Sequence, residues 1–325
     1  MLDKQTQIEI DSPNADQRLD RFLRKFFRSD TTITLGDIYS AIRKWDIKVN
    51  GKKTKEEYRT KEGDIVVIRK LENKTPRTSK DETLSMEDFK QRILYEDDNR
   101  LVVDKPYDMV MHTTNPKDIA IQDYLDIYCK KLITPTFTPS FGYRLDKDTT
   151  GVLVAAKTMP ALQYINKVIR DREISKFYYA IVVGKFPPHM LIDKALEKSF
   201  NEKFKRWQTV VNERFWERAV SECRNEEHII HPVLWEISLI KVKIETWKMH
   251  QIRVHTASVG YPVLWDIVYG KPVVNRILFR QMNIKRQLLH AYEYKFFDMF
   301  GNKTLKIVAP MPNDFKEVMA CVVHK

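Results

Sequence analysis

The sequence predicts an α+β protein with a large mixed, mostly antiparallel sheet, preceded by a small α+β domain. The chain has 325 residues, a length that suits about two domains. Two short amphipathic helix patterns and a hairpin signal lie within its first 70 residues. After residue 90, many β-prone runs follow one another with few helices between them, which favours an α+β architecture.

The elements of the small domain fall within residues 16–70. Apolar residues with helical spacing, a short apolar run and an Asn-Gly turn signal predict two helices and a hairpin with a closing strand. These elements are predicted at residues 17–27, 35–44, 47–49, 50–51 and 64–68. Residues 1–15 are interpreted as an N-terminal tail, and the polar residues 71–90 as a flexible linker.

The large domain is predicted to span residues 91–325. Its strands are predicted at residues 100–104, 152–157, 176–183, 234–247, 287–297 and 303–309, and its helices at 119–132 and 159–171. The last two strands are expected to pair antiparallel. Residues 198–232 are charged and poorly patterned, so that no element is predicted there.

The composition favours a polyanionic partner. The net charge is +12, and residues 16–70 carry 15 Lys or Arg against 9 Asp or Glu, which is half of the excess. Such a charge suits nucleic acid or an anionic membrane surface. No apolar run is long enough to span a membrane, and the N-terminus lacks the layout of a signal peptide. Three widely spaced cysteines without a CxxC pair indicate reduced thiols and a cytoplasmic protein.

One decapeptide, residues 142–151 (GYRLDKDTTG), places Arg144 and Asp146 between apolar elements, where functional side chains are often presented. A calcium loop is excluded because its twelfth position holds Lys157 instead of a bidentate Glu. Two structural readings stay open at this point. Asp146 could cap a turn, or Asp148 could form a surface ion pair with a neighbouring cation.

A second segment, residues 249–255 (MHQIRVH), is followed by Asp266 and by Tyr269-Gly270. His250 and His255 are five residues apart, whereas metal ligands on one helical face are four apart, and no HExxH glutamate follows. No metal site is therefore predicted, and a purely structural role for both histidines is the main alternative.

Together these segments resemble the motifs of the RluA-type RNA pseudouridine synthases. Further matches occur in family order at Asp104-Lys105-Pro106 with His112, at Lys176–Ala180, at Leu289–Ala291 and at Pro310–Pro312. The resemblance implies the pseudouridine synthase fold and the conversion of uridine in RNA to its C-glycoside isomer. That reaction involves no redox change or hydrolysis, so no cofactor is expected.

By resemblance, Asp146 is the nucleophilic aspartate, which is ionised at neutral pH and needs only positioning. Arg253 matches the arginine that pairs with it, and a guanidinium suits that role because it stays charged. Tyr178 matches the active-site tyrosine, which could stack on the uracil and help remove the proton from its fifth carbon. Arg144 is expected to fill the space left by the extruded uridine. The alternatives are a surface ion pair for Arg253 and a core aromatic for Tyr178.

Residues 16–70 resemble the alpha-L RNA-binding domain of a small-subunit ribosomal protein. By that resemblance, five cations would face phosphates, with ordinary solvated surface cations as the alternative: Arg43, Lys44, Lys48, Lys52 and Lys53. The motifs of the large domain add five further expected RNA-binding residues: Lys105, His112, Lys176, His250 and Gln251.

The chain departs from these families at glycine positions. Trp45, Trp247 and Trp265 stand where glycine is usual, and the chain has only 9 glycines, under 3% against an average near 7%. Glycine sites often need a positive φ or a close backbone approach, which tryptophan suits badly. We therefore hypothesise that some of these tryptophans come from UGA codons that the source organism reads as glycine.

The sequence as a whole predicts a monomeric, cytoplasmic enzyme that acts on structured RNA without contacting a membrane. Large-subunit ribosomal RNA is the first expected substrate, and transfer RNA is the alternative. A non-catalytic RNA-binding or ribosome-assembly protein with the same fold is the alternative from another class.

Overall fold

The computed structural model describes residues 6–27, 33, 35–69, 84–113, 120–134, 137–214 and 217–321. The chain forms two compact units. The smaller comprises residues 1–84 and 112–120, and the larger comprises residues 85–111 and 121–325. None of the helices in the described ranges is both long and apolar enough to cross a membrane.

The smaller unit packs two helices on a three-stranded sheet. The strands are β1 (Thr6–Glu9), β2 (Ile47–Val49) and β3 (Ile65–Ile68), the helices are α1 (Leu19–Phe26) and α2 (Leu35–Arg43), and a short 3-10 helix spans Ser12–Asn14. The strand order is β1-β3-β2, and both pairs are antiparallel. Part of the predicted tail therefore belongs to the sheet. The four-residue strand β1 was missed because it carries a single large apolar residue, Ile8.

The larger unit is built on one eleven-stranded sheet, as its described residues define it. The strands are β4 (Ile93–Glu96), β5 (Arg100–Lys105), β6 (Ser140–Phe141), β7 (Thr150–Ala156), β8 (Ile174–Val183), β9 (His189–Asn201), β10 (Arg206–Val211), β11 (Arg218–His231), β12 (Trp235–Ile244), β13 (Leu289–Asp298) and β14 (Lys303–Val308). The main order is β10-β9-β11-β12-β8-β13-β7-β5-β4, with β14 beside β13 and β6 beside β7. Among the described pairs, only β13 with β7 is parallel, which confirms the predicted mostly antiparallel sheet.

Six helices accompany this sheet, together with a short 3-10 helix at Lys130–Leu132. They are α3 (Met86–Gln91), α4 (Ile121–Tyr128), α5 (Met159–Arg170), α6 (Gln251–Ser258), α7 (Pro272–Met282) and α8 (Asn313–Ala320). Helix α3 falls inside the predicted linker. It begins with a capping box in which Ser85 and Asp88 satisfy each other's backbone N–H groups. Residues 70–83 of that linker lie outside the described residues.

The segment for which no element was predicted, residues 198–232, contributes to three strands. It includes the end of β9 and all of β10 and β11. In β11, buried and solvent-facing positions alternate over much of the strand, as in a sheet with one wet face. Charged residues on the solvent-facing side of the strand interrupt the apolar residues, so the sequence pattern did not predict this strand.

Gly151 allows the parallel strands β7 and β13 to approach each other closely. Its φ is +111°, and a Cβ at this position would lie 2.1 Å from the carbonyl oxygen of Ala291 on β13. Only glycine allows this approach without a shift of the neighbouring backbone. Because Asp146 lies five residues before Gly151, the contact anchors the loop that carries Asp146.

Two buried histidines are expected to make the larger unit sensitive to acid. His255 and His290 are fully buried, and burial lowers the pKa of each imidazole to about 4. In the unfolded chain the pKa is about 6.5, so the unfolded state binds more protons as the pH falls below 6.5. Stability is therefore complete above pH 6.5 and decreases as the pH falls toward 4. We expect a loss of about 2 kcal/mol per histidine between pH 7 and pH 5.

Urea unfolding at the two pH values measures this effect. His255→Gln is expected to reduce the pH dependence by about half, since it removes one of the two groups. His189→Gln, at an exposed position, is the matched control. An unchanged pH dependence in His255→Gln would contradict the account.

Candidate active site

A pocket of about 1120 Å³ lies in the larger unit. The motif loop before β7, strand β8 and the start of α6 line it. Among the lining residues are Asp146, Tyr178 and Arg253, the three residues predicted to carry the chemistry. The structure therefore places side chains from three distant segments around one cavity.

Arg253 lies at the centre of the charge arrangement. Its Nη1 donates to Oδ2 of Asp146 at 2.8 Å, while its Nε and Nη2 donate to the two oxygens of Asp266 at 2.6 and 2.9 Å. Burial alone would lower the pKa of Arg253, but the hydrogen bonds and charges of both carboxylates raise it. The guanidinium is therefore a permanent cation that bridges two carboxylates.

The bidentate partner of Arg253 is Asp266, not Asp146. Asp266 is buried, and its Oδ1 also accepts the N–H groups of Val268 and Tyr269 at 2.8 and 2.9 Å. Burial would raise the pKa of Asp266, but hydrogen bonds from Arg253 hold it below its ordinary value. Asp266 thus orients Arg253 and leaves Nη1 free to hold Asp146. Asp266 was not predicted as a site residue from the sequence, although it lies in the motif that follows residues 249–255.

His250 links the site to strand β10. Its Nδ1 lies 2.9 Å from the hydroxyl of Tyr269, and its Nε2 lies 3.8 Å from Oδ2 of Asp146. The Tyr269 hydroxyl also accepts the N–H of Thr209 at 2.8 Å. Burial lowers the pKa of His250, so its imidazole is neutral at pH 7 and adds no second cation beside Asp146.

Tyr178 projects from β8 and is largely buried, yet it lines the pocket. Burial and then the charge of Asp146 raise the pKa of its hydroxyl. The phenol therefore keeps its proton at neutral pH. It offers an aromatic face and a neutral hydroxyl rather than a base.

Lys105, predicted to bind RNA, faces the protein instead. It is fully buried, and its Nζ donates to the main-chain carbonyls of Pro106, Lys147 and Thr149 at 2.8–3.0 Å. Burial lowers its pKa to about 7. Because Lys147 and Thr149 follow Asp146 in the loop before β7, Lys105 braces the backbone that carries Asp146.

Lys176, another predicted RNA-binding residue, is also buried. Its Nζ lies 3.5 Å from the ring centre of Tyr143, 4.0 Å from that of Trp247 and 4.6 Å from that of Tyr294. Burial lowers the pKa of Lys176, whereas the ring faces favour its charged form. Because three rings surround the buried ammonium group of Lys176, little of its surface is accessible to an RNA phosphate.

Gln251 is satisfied within the protein. Its Nε2 donates to the Val220 carbonyl and the Ser221 hydroxyl, and its Oε1 accepts from Thr246 and from the Lys248 N–H. The side chain is buried and secures the start of α6 against β11. The expected RNA contact is therefore not available to Gln251 in this arrangement.

The remaining predicted RNA-binding residues lie at the surface. Arg144 is exposed and lines the pocket, whereas His112 is exposed and does not line it. In the smaller unit, four predicted cations are exposed and Lys48 is partly buried; the four are Arg43, Lys44, Lys52 and Lys53.

No group of three or more potential metal-ligating side chains occurs in the described part of the chain. His250 and His255 do not form a shared site there. The Nδ1 atom of His255 pairs with the Ser221 hydroxyl at 2.9 Å, whereas that of His250 pairs with Tyr269.

Comparisons with known proteins show the family to which the chain belongs. The profile of the RNA pseudouridylate synthase family matches residues 99–258. The ribosomal large subunit pseudouridine synthase C of Vibrio parahaemolyticus is 30% identical over 320 residues, which cover 96% of this chain and 95% of that protein. The enzyme of the same name from Salmonella typhimurium is 30% identical over 321 residues, with 96% and 95% coverage.

Solved structures share the fold. Human RNA pseudouridylate synthase domain containing 1 superposes with a TM-score of 0.57 at 22% identity, over 70% of this chain and 86% of that one. Human RNA pseudouridylate synthase domain containing 4 gives a TM-score of 0.56 at 22% identity, over 72% and 94%. This chain belongs to the RluA family of RNA pseudouridine synthases, isomerases that convert uridine to pseudouridine.

Proposed function

We propose that this enzyme modifies uridine in large-subunit ribosomal RNA, with Asp146 as its nucleophile and without a cofactor. The observation that supports Asp146 as the nucleophile is its 2.8 Å hydrogen bond from Arg253 in the wall of the pocket. The bond fixes the direction of one carboxylate oxygen. The side chain of Asp146 keeps 26% of its surface exposed, so the carboxylate remains open to a substrate.

The reaction breaks the bond between C1′ of the ribose and N1 of the uracil and forms a bond from C1′ to C5. The proton on C5 leaves, and N1 gains a proton, so atoms and electrons balance without an oxidant or a hydrolytic water. The carboxylate of Asp146 needs only to attack or to stabilise developing positive charge, and the Arg253–Asp266 pair needs only to hold it. The chemistry therefore calls for no cofactor.

Tyr178 fits a stacking role in this scheme. Its ring lines the pocket, and the raised pKa of its hydroxyl makes it a poor acceptor for the C5 proton. The ring of Tyr178 is therefore proposed to stack on the uracil, and its hydroxyl is not proposed as the base that removes the C5 proton. A neutral hydroxyl beside the base also avoids a second negative charge near Asp146.

We propose that the smaller unit is an alpha-L RNA-binding domain, extended at its N-terminal side by β1. Its two helices on a small sheet and its exposed cations support this assignment. The net charge of +12 supports a polyanionic substrate for the whole chain. An RNA substrate of this kind supports a cytoplasmic location for the enzyme. A monomer is the simplest oligomeric state for the enzyme.

The names of the related proteins favour ribosomal RNA over transfer RNA. The test is to treat a transcript of large-subunit ribosomal RNA and a transfer RNA pool with the enzyme and to map pseudouridine in both. New pseudouridine in the ribosomal transcript alone supports the proposal. Modification of transfer RNA alone would replace it by the alternative substrate.

Arg144 is proposed to occupy the gap left by the extruded uridine. Extrusion from a stem costs a few kcal/mol, and it costs least in a loop. Arg144→Ala is therefore expected to slow modification of a stem uridine by about 10- to 100-fold, and that of a relaxed loop by far less. Single-turnover rates on the two RNAs measure this. Equal losses would exclude the role.

The hairpin of β9 and β10 is proposed to extend the RNA surface beyond the pocket. The base of the hairpin lines the pocket through Leu196, Lys198 and Thr209. The turn of the hairpin carries Lys203 and Lys205. Exposed rings beside cations suit unstacked RNA, and Phe204 lies exposed in this turn.

Binding at several salt concentrations tests the hairpin. The Lys203→Ala, Lys205→Ala double variant is expected to bind RNA more weakly and to lower the slope of log affinity against log salt by about 1–2. The control removes two exposed lysines that do not line the pocket, Lys295 and Lys303. A slope unchanged by the hairpin variant would show that phosphates do not reach it.

A further inference from the structure

Three tryptophans lie in a backbone conformation that favours glycine. Trp45, Trp235 and Trp265 have φ values of +65°, +67° and +58°. Of the six tryptophans, Trp216 lies outside the described residues, so these are three of five. Only a few per cent of residues other than glycine adopt positive φ, and Asn, Asp and His are enriched among them. The concentration in one bulky residue type calls for a specific cause.

Trp45 occupies the glycine position of a helix C-cap. After α2 ends at Arg43, the N–H of Trp45 donates to the Ile42 carbonyl and the N–H of Asp46 donates to the Ala41 carbonyl. These two bonds define a Schellman motif, whose residue in the left-handed region is usually glycine. The indole of Trp45 is 50% exposed, so packing offsets little of the backbone strain.

Trp265 and Trp235 lie in turns that also need a residue with positive φ. The Asp266 N–H donates to the Val263 carbonyl, which makes Trp265 the third residue of a four-residue turn. A positive φ at that position alone defines a type II turn, where glycine is the usual residue. Trp235 follows the three-residue loop between β11 and β12, where a left-handed residue commonly closes the hairpin. Its side chain is 82% exposed.

We infer that positions 45, 235 and 265 hold glycine in the protein as its own cell makes it, because UGA codons there are decoded as glycine. UGA differs by one base from the tryptophan codon UGG, so reading it as tryptophan places tryptophan where the cell inserts glycine. The chain's 9 glycines, about 3% of its residues, agree with hidden glycines. Position 235 was not suspected from the sequence, whereas position 247 was suspected and is not part of this set. The inference does not depend on the proposed function.

Not every described tryptophan has a left-handed backbone. Among the described residues, Trp207 and Trp247 lie outside the left-handed region. Trp247 packs in the core and faces Lys176. A substitution at either position therefore tests the loss of tryptophan without a change in backbone strain. Trp207 on β10 is the matched control for the substitution of Trp235.

Mass spectrometry of the protein purified from its source organism tests the inference directly. Peptides that cover positions 45, 235 and 265 are expected to contain glycine, and the gene is expected to carry UGA at all three. Tryptophan in these peptides, or UGG in the gene, would overturn the inference.

A recombinant comparison tests the physical reason. Trp235→Gly is expected to raise the Tm of the larger unit by about 2–4 °C, because glycine relieves the left-handed strain. Trp207→Gly is expected to lower the Tm or leave it unchanged, since this residue is 61% exposed within a strand where glycine adds flexibility. A lower Tm for Trp235→Gly would contradict the inferred fit of glycine to this turn.

Discussion

The Arg253→Met variant is expected to lose about 3–5 kcal/mol of the free energy of unfolding of the larger unit, together with its activity. The reason is the burial of Asp266, whose two carboxylate oxygens are paired with Nε and Nη2 of Arg253. Removing the guanidinium leaves a buried carboxylate without its cation. The same change also frees Asp146 from its 2.8 Å contact. Urea unfolding and single-turnover pseudouridine formation measure the two losses.

A second change separates stability from catalysis. In the double variant Arg253→Met, Asp266→Asn, the buried negative charge is gone, while the amide oxygen can still accept the N–H groups of Val268 and Tyr269. Most of the stability is expected to return, but not the activity, since Asp146 remains unheld. Arg170→Met is the matched control, because its ion pair with Asp171 is exposed and such pairs contribute about 1 kcal/mol or less. Recovery of activity in the double variant would contradict the positioning role of Arg253.

The Asp146→Asn variant is expected to slow pseudouridine formation by about 10⁴-fold or more, as removal of a nucleophile commonly does. Asparagine has nearly the same shape and can still accept a hydrogen bond from Arg253, so the fold is expected to persist. The loss should therefore appear in the rate of the chemical step and not in RNA binding or in thermal unfolding. Release of the C5 hydrogen of uridine reports that step.

Asp108→Asn is the control for this prediction. Asp108 is exposed, pairs with Lys147 and does not line the pocket. The same chemical change there should leave the rate within a few-fold of the wild type. A similar rate loss in both variants would point to a general effect of charge on RNA binding.

The sequence predicted much of the fold and the core of the site because those features have local signals. Continuous apolar runs such as residues 152–156 become buried central strands. Ordered motifs identified Asp146 and Arg253, which lie 107 positions apart, as partners, and the structure brings them into contact.

The parts that the sequence did not reveal depend on contacts between distant residues. Lys105 was expected to bind RNA because it lies in the Asp104-Lys105-Pro106 motif, and lysine side chains are usually exposed. Its burial against three main-chain carbonyls depends on how the loop folds over it. The role of Asp266 likewise depends on the orientation of Arg253 in α6, and the strands around residues 198–232 were hidden by charges on their wet face.

A pseudouridine map of large-subunit ribosomal RNA, treated in parallel with the wild-type enzyme and with Asp146→Asn, tests directly whether Asp146 is the nucleophile. We expect new pseudouridine at defined uridines with the wild type and none at those positions with the variant. Identical maps from the two proteins would contradict the assignment of Asp146 as the nucleophile.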